Sequence, residues 1–489
     1  MKSCPRFGMP SWWLLLALAL PGVSASADAV SVAAPPDTLA SLRQQQRWME
    51  LRLEARTTLA RAPADAEAYA ALVEALWRGG ALTEAIATAE QARAAGVDSA
   101  ALRQAQASAL ALRGEWAVVT RLLASDAAVA GVVPDTLLLH GIALREQGRL
   151  DDARQALSRF TQGQPASARG WLQLARVELL AGKPAAAQAA LNRLPESARG
   201  KDEALFLVAR LQADGGQAQT AVATLTRALE QAPLRASLYA LRARQLANLQ
   251  AWPEAAQDIH SALLLGASAA EDYLLACEAA RMLDDTEALA AYARAGMAAH
   301  PQRAEFPLQR ARALRGLGDA TQARTLLEKG VKDFPANTAL VLELALAQAA
   351  EGRHQDVVNT LDALLVKQPS AQAYALRAYA RLHLGDLLRA GEDAGNALAL
   401  EPGLTNALLV QARVALARGE PALAEAPCRQ ALARAPELAW AHTTCGEVAL
   451  ALGQADTARA LAEKALRLSP QDVEALRLKE QLKTKGARP

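Results

Sequence analysis

The segment GIALREQGRLDDARQALSRFTQGQP, residues 141–165, contains the pattern from which the fold of the whole chain can be predicted. It is rich in alanine, leucine, arginine and glutamine, which are favourable residues in an α-helix. Gly148 falls where a first helix would end, because glycine readily adopts the left-handed backbone conformation of a helix terminus. Pro165 would end a second helix, since proline lacks the N–H donor and disfavours helix in the residue before it. The segment therefore predicts a helical hairpin with a tight turn.

The same landmarks recur about every 34 residues along most of the chain. Glycines with this spacing are Gly80, Gly114, Gly148, Gly182, Gly216, Gly318, Gly352, Gly385, Gly419 and Gly453. Prolines that keep the same phase are Pro165, Pro233, Pro301, Pro335, Pro369, Pro402, Pro436 and Pro470. A fixed period of this length predicts stacked hairpins, because a single hairpin cannot bury its apolar face alone.

The slots of this repeat resemble those of the tetratricopeptide repeat, in which bulky residues, a small residue, alanines and a proline recur in a set order. Around the quoted segment they are Leu137, His140, Gly141, Leu144, Ala153, Leu157, Phe160 and Pro165. His140 replaces a usual leucine and Phe160 a usual alanine. Twelve such repeats start near Ala66, Ala100, Pro134, Ala168, Asp202, Ala236, Ala270, Ala304, Thr338, Ala371, Thr405 and Ala439. The repeat at Ala270 matches least well, because it lacks the turn glycine.

The composition favours an all-α protein, since 52% of the residues are hydrophobic but only 4% are aromatic, and the residue runs typical of strands do not occur. The resemblance implies a right-handed superhelical solenoid of about twelve helix–turn–helix repeats over residues 66–472. Residues 473–489 would form a capping helix and tail that cover the last repeat. Residues 28–65 would hold a lead-in and one long helix from Asp37 to Arg61, which could be a degenerate thirteenth unit. We expect a single domain.

Residues 1–27 have the three parts of a secretory signal peptide. Lys2 and Arg6 precede an apolar run at 12–20, and small residues at 25–27 offer a cleavage site. The run is short for a membrane span, although a retained anchor is the alternative, and no second run of spanning length follows. We therefore expect an exported, periplasmic protein. Cleavage would remove Lys2 and Arg6 from the 53 basic residues, which then equal the 51 acidic ones, and this balance argues against nucleic-acid binding.

The sequence does not contain a recognisable catalytic or metal-binding motif. No pair of its six histidines has the helical spacing of metal ligands, and Cys-x-x-Cys, His-Glu-x-x-His and glycine-rich phosphate loops do not occur. A catalytic site needs a nucleophile, a base or a metal cluster within mutual reach. We therefore predict no enzymatic activity, no catalytic residue, no metal site and no cofactor.

Three cysteines follow the predicted cleavage site. Cys277 occupies a small-residue slot, which predicts a packing role. Cys428 and Cys445 fall on helices that we expect to stack side by side, so they could form a disulfide in an oxidising compartment. The alternative is that each cysteine is a small buried apolar residue, as free cysteine often is.

In tetratricopeptide repeats the first helix of each pair lines the inner groove, and one groove-facing slot follows the small residue. Arginine occupies that slot in three successive repeats, at Arg176, Arg210 and Arg244, and again at Arg312 and Arg413. Groove-facing aromatic residues are Trp77, Phe206, Tyr379 and Trp440. A series of guanidinium groups could bind the carboxylates of an acidic peptide or an anionic polysaccharide. The alternative is that these arginines pair within the protein, as Arg210 could with Asp214.

The resemblance implies a scaffold for protein–protein interaction. We expect a non-enzymatic periplasmic protein that binds protein partners during cell-envelope assembly or export, as in exopolysaccharide, pilus or secretion machinery. The alternative is a guide for polysaccharide in exopolysaccharide export, which would use a basic concave groove.

Overall fold

The computed structural model describes residues 38–129 and 133–486. Throughout these ranges the chain folds into helices joined by short turns, without a strand. The helices belong to two compact units, Met1–Gln164 and Pro165–Pro489. The predicted signal peptide at 1–27 lies outside the described residues. None of the described helices is long and apolar enough to span a bilayer.

The first unit is a stack of helical hairpins. Its helices are α1 (Leu39–Gln44), α2 (Trp48–Arg61), α3 (Ala66–Arg78), α4 (Leu82–Ala94), α5 (Ala100–Leu112), α6 (Trp116–Ala128), α7 (Pro134–Glu146) and α8 (Leu150–Gly163). Consecutive helices pack against each other, and the first helix of one hairpin also packs against the first helix of the next, as α3 does against α5. Each hairpin therefore buries its apolar face partly against its neighbour.

The prediction of one long helix from Asp37 to Arg61 is wrong. The chain turns between α1 and α2, where Gln46 adopts a left-handed conformation with φ of 57°. The N–H of Gln46 donates to the carbonyl of Arg43 and the N–H of Arg47 to that of Leu42, the same pattern that Gly80 and Ala81 make one repeat later. Gln46 thus stands in the glycine slot, and α1 and α2 form a further hairpin whose turn lacks its usual residue.

The second unit continues the same arrangement. Its helices are α9 (Ala168–Leu180), α10 (Pro184–Asn192), α11 (Glu196–Arg199), α12 (Asp202–Asp214), α13 (Ala218–Gln231), α14 (Ala236–Asn248), α15 (Trp252–Leu264), α16 (Ala270–Met282), α17 (Thr286–Ala299), α18 (Glu305–Gly316), α19 (Ala320–Asp333), α20 (Thr338–Ala350), α21 (His354–Lys367), α22 (Ala371–His383), α23 (Leu387–Leu400), α24 (Thr405–Ala417), α25 (Pro421–Arg434), α26 (Ala439–Ala451), α27 (Ala455–Leu468) and α28 (Val473–Gly486). Eleven of the twelve predicted repeat starts coincide with the first residue of a helix, and Ala304 precedes α18 by one residue.

Close approach between helices explains the small-residue slot. A Cβ atom on Gly141 would lie 2.6 Å from Cγ of Leu157 on the second helix of the same hairpin, so a side chain there would push α7 and α8 apart. Ala153 and Leu157 are fully buried at this crossing. In the least regular repeat, Asp284 takes the place of the turn glycine with φ of 54°, a conformation that aspartate adopts more readily than most residues. The hairpin of α16 and α17 therefore forms despite its weak sequence match.

Candidate functional site

The predicted groove arginines of α9, α12, α14 and α18, which we call the arginine row, all lie next to carboxylates. The pairs are Arg176 with Glu203 at 2.7 Å, Arg210 with Asp214 at 3.6 Å, Arg244 with Asp272 at 3.6 Å and Arg312 with Glu343 at 2.9 Å. In three of the four, the carboxylate comes from the first helix of the next repeat. The arginine row therefore links successive hairpins and has its charge balanced within the protein.

Two of the aromatic residues that were predicted to face the groove pack against the apolar core. Trp77 lies against the apolar core of the first unit, and the guanidinium of Arg78 covers its ring at 4.1 Å from the ring centre. Phe206 packs against the core around Leu205 in the second unit, with Arg235 at 5.1 Å from its ring centre. Both rings are half-buried and carry an arginine on their faces, which leaves little of either ring for a ligand.

The structure brings Tyr379, Arg413 and Trp440 together. They line a cavity of about 590 Å³ in the second unit, formed by α20, α22, α24 and α26 with the start of α28. We call this cavity the C-terminal groove. Because its walls are the stacked first helices of successive hairpins, the side chains that face it are held by rigid backbone.

One wall of the C-terminal groove is apolar. Leu342 and Leu346 of α20, Leu376 of α22 and Leu404 before α24 line it, together with small alanines of α20 and α22. Leu346 is 41% exposed and occupies the slot that holds arginine in the arginine row. An exposed leucine in a concave site is available for an apolar partner side chain.

Aromatic rings form a further part of the wall. The ring of Tyr379 meets that of Trp440 edge to face, with 5.7 Å between ring centres. On its other side Tyr379 lies 4.4 Å from the ring of His383, which in turn stacks on His354 at 4.6 Å. Such contacts restrict the side chains to defined positions and keep the wall preformed.

The polar end of the groove is formed by Arg413 and Glu474. The Arg413 guanidinium donates to both carboxylate oxygens of Glu474, at 2.5 and 3.2 Å, and Glu447 lies further away at 3.9 Å. Burial raises the pKa of Glu447. Burial also lowers the pKa of His383, an effect to which the nearby His354 and Arg413 add. The lowered pKa of His383 favours its uncharged form, and the ion pair of Arg413 and Glu474 lies at the edge of the groove.

Sequence reasoning missed His383, Glu474 and the leucines of the apolar wall. Leu346 and Tyr379 share the groove-facing slot with the arginines, so the slot itself could have indicated an apolar surface. Glu474 carries no such signal, because it belongs to the helix after the last repeat and meets Arg413 only through the fold.

The cysteines pack in apolar surroundings. Cys428 and Cys445 are buried free thiols in one apolar cluster of the second unit, and a hydrogen bond to Cys428 together with burial raises the pKa of Cys445. Burial raises the pKa of Cys277 to about 12. The disulfide between Cys428 and Cys445 stays a prediction. Within 38–129 and 133–486, no group of three or more metal-ligating side chains could hold an ion.

Comparison with known families identifies the repeat. One family model described as "Tetratricopeptide repeat" matches residues 144–211 and 314–380. A second model with the same description matches residues 203–234. No curated protein matches the sequence significantly.

Three solved structures illustrate the resemblance. The hetero-tetramer Cut9-Hcn1 of APC/C has a TM-score of 0.47 at 14% identity, covering 91% of this chain and 95% of that one. Yeast Tom70 has a TM-score of 0.40 at 16% identity, with 92% and 94% covered. A thermophilic tetratricopeptide protein of Thermus thermophilus has a TM-score of 0.33 at 25% identity, with 37% and 98% covered.

Proposed function

Because this chain is a tetratricopeptide-repeat protein, a scaffold for protein–protein interaction, we propose that it holds a segment of a protein partner in the C-terminal groove and performs no chemistry itself. The observation that carries the proposal is the groove, which is lined by leucines, among them the exposed Leu346, and by aromatic rings. The groove is large enough for several side chains of a bound polypeptide.

The rigidity of the walls favours binding. The groove-lining helices α22, α24 and α26 each pack against the next first helix in the stack, so little conformational freedom remains to be lost when a partner binds. Leucine side chains and the rings of Tyr379 and Trp440 can bury apolar anchors of the partner, which usually dominate the binding energy of an interface.

We also propose that the protein works in the periplasm, during cell-envelope assembly or export. The support is the amino-terminal sequence, with Lys2 and Arg6 before the apolar run at 12–20 and small residues at 25–27. Amino-terminal sequencing of the protein recovered from a periplasmic fraction tests this. We expect Asp28 as the first residue, whereas recovery of the intact amino terminus from the cytoplasm would contradict the proposal.

The alternative function, a guide for anionic polysaccharide, has weaker support. It relied on free guanidinium groups along the inner helices, but the arginine row is paired with carboxylates throughout. A polyanion would have to displace each of these carboxylates. We therefore favour a protein partner over a polysaccharide.

The test of the groove compares two exposed leucines. Leu346→Glu would place a charge on the apolar wall, whereas Leu423→Glu would change a leucine on the second helix α25 that is 66% exposed and does not line the groove. Envelope proteins that co-purify with the wild-type protein and with Leu423→Glu should be lost with Leu346→Glu, at an unchanged melting temperature. Equal recovery with both variants would contradict the proposed groove.

A further inference from the structure

Arg413 differs from the other inner-helix arginines in the source of its carboxylate. Arg43 and Arg312 each bind a glutamate 31 residues later in the chain, on the first helix of the next repeat. Arg413 instead binds Glu474, 61 residues later, although Glu447 is available on the next repeat at 3.9 Å. The carboxylate that Arg413 binds thus comes from α28, which lies beyond the repeats, and it enters the C-terminal groove from the edge.

The position of α28 does not depend on this ion pair. Asp472 caps the helix by accepting hydrogen bonds from the N–H groups of Glu474 and Ala475 at 3.0 Å each, and its other oxygen accepts from the hydroxyl of Thr443 on α26 at 3.0 Å. Leu478 and Leu482 bury the apolar face of α28 against α26 and α27. Glu474 can therefore leave Arg413 while the helix stays in place.

The two partners differ in their access to water. The side chain of Glu474 is 35% exposed and that of Arg413 only 21%. A released Glu474 can turn outwards and be hydrated, whereas Arg413 stays partly desolvated and continues to require an anion. The exchange of Glu474 for another carboxylate consequently costs little. Its loss without a replacement costs more, because Glu447 at 3.9 Å is too distant to hydrogen-bond to Arg413.

We propose that Glu474 occupies the place of a partner's carboxylate, and that the C-terminal groove binds a polypeptide segment with an aspartate or glutamate beside leucine or another large apolar side chain. This inference rests on the proposed function of the groove. The partner's carboxylate forms the two-point contact with Arg413 in place of Glu474, while its apolar side chain packs against Leu346 and Leu376. The capping helix thus competes with the partner's carboxylate and lowers the affinity for acidic segments relative to an unoccupied Arg413.

The test starts from a library of random peptides displayed on phage and selected on the purified protein. Enriched peptides are synthesised with a fluorescent label, in the acidic form and with each Asp or Glu changed to Asn or Gln. Fluorescence polarisation then measures their affinity for the wild-type protein and for Glu474→Gln, Arg413→Gln, the double variant and Leu346→Glu. The double variant removes both charges and serves as a control for an unpaired charge in the groove, and circular dichroism checks the fold of each protein.

We expect the enriched peptides to carry an acidic residue next to a leucine or an aromatic residue. Amidation of that residue should weaken binding to the wild-type protein about tenfold, since a hydrogen-bonded charged contact contributes about 1.5 kcal/mol or more. Glu474→Gln should tighten binding of the acidic form about tenfold and leave the amide form unchanged. Arg413→Gln should bind both forms equally.

Two results would overturn the inference in different ways. Peptides that lose binding in Leu346→Glu but show no acidic preference, or no response to Glu474→Gln, would refute the role of Arg413 and Glu474 and leave the proposed function standing. Peptides whose affinity is unchanged by Leu346→Glu, or a selection that yields no binders, would refute the groove as a peptide site and the inference with it.

Discussion

In two stretches of the second unit, the same groove-facing slot of the repeat has different roles. In α9, α12 and α14 the slot holds Arg176, Arg210 and Arg244, and each is paired with a nearby carboxylate. In α20 and α22 it holds Leu346 and Tyr379, which leave an open apolar and aromatic cavity. Charges on the inner helices therefore mainly join neighbouring hairpins, and a binding surface arises where those charges are replaced.

The largest effect is expected behind the groove, at Asp393 on α23. Its side chain is 2% exposed, and it accepts hydrogen bonds from Arg377 at 2.7 and 2.9 Å and from Arg381 at 2.7 Å. Asp393→Ala would leave two guanidinium groups without their buried counter-ion, so we expect the free energy of unfolding to fall by about 3–5 kcal/mol. Urea denaturation followed by circular dichroism measures the loss.

Asp362→Ala is the matched control for Asp393→Ala. Asp362 contacts the same two guanidinium groups, at 2.5 and 3.6 Å, but its side chain is 49% exposed. Its loss should cost less than about 1 kcal/mol, because water can replace an exposed carboxylate. Equal costs for the two variants would show that burial does not separate the structural charges from the surface charges.

An intermediate effect is expected within the arginine row. Arg244 lies 3.6 Å from the buried Asp272, whereas Arg210 pairs with Asp214, which is exposed. Arg244→Gln should lower the free energy of unfolding by about 1 kcal/mol, and Arg210→Gln by less than about 0.5 kcal/mol. Parallel urea denaturation of the two variants tests this order, and an inverted order would contradict it.

The pair of Arg244 and Asp272 also predicts that stability depends on pH. Burial raises the pKa of Asp272 in the folded protein, and the charge of Arg244 opposes this rise. A raised carboxyl pKa means that the folded state holds its proton more tightly than the unfolded state, so stability decreases as pH rises through that pKa. Arg244→Gln strengthens this trend, and its cost should therefore shrink below about pH 4. A cost that stays constant with pH would count against a buried Asp272 charge.

The smallest effect concerns the stacked histidines of the groove. Burial lowers the pKa of His354. Burial also lowers the pKa of His383, the charges of His354 and Arg413 lower it further, and the charge of Glu474 opposes this shift. A histidine pKa that is lower in the folded state makes stability fall as pH drops below the unfolded value of about 6.5. The melting temperature should therefore decrease slightly from pH 7 to pH 5. The His354→Gln/His383→Gln variant should decrease less, and an equal decrease would argue against the histidines as its source.

Much of the fold could be predicted because its rules are local and repeated. The starts of the first helices, from Ala66 to Ala439, were predicted to within one residue, since each turn and each helix crossing restricts the residues allowed there. The single long helix expected between Asp37 and Arg61 failed where Gln46 takes the glycine conformation at φ of 57°. No glycine marks that turn and no earlier repeat extends the period to it, so only the backbone reveals it.

The candidate site was predictable only in part. Tyr379, Arg413 and Trp440 were predicted to face the groove, and the structure brings them into one cavity. Trp77 and Phe206 were predicted to do the same, yet neighbouring arginines cover their rings. A repeat slot indicates the direction of a side chain but does not say which neighbouring side chain lies over it.

The period, most of the turns and the small residues at the helix crossings can be read from the sequence, because backbone conformation and close packing permit few residues at those positions. Which arginines are neutralised, and where a surface stays open, depends on how the hairpins pack in three dimensions. Glu203 reaches Arg176 and Glu474 reaches Arg413 from helices distant in the chain, and a contact of that kind depends on how hairpins stack. Two charged side chains form an ion pair only when the fold brings them close together, whatever their separation in the sequence. The same slot can therefore link hairpins in one repeat and line a binding groove in another.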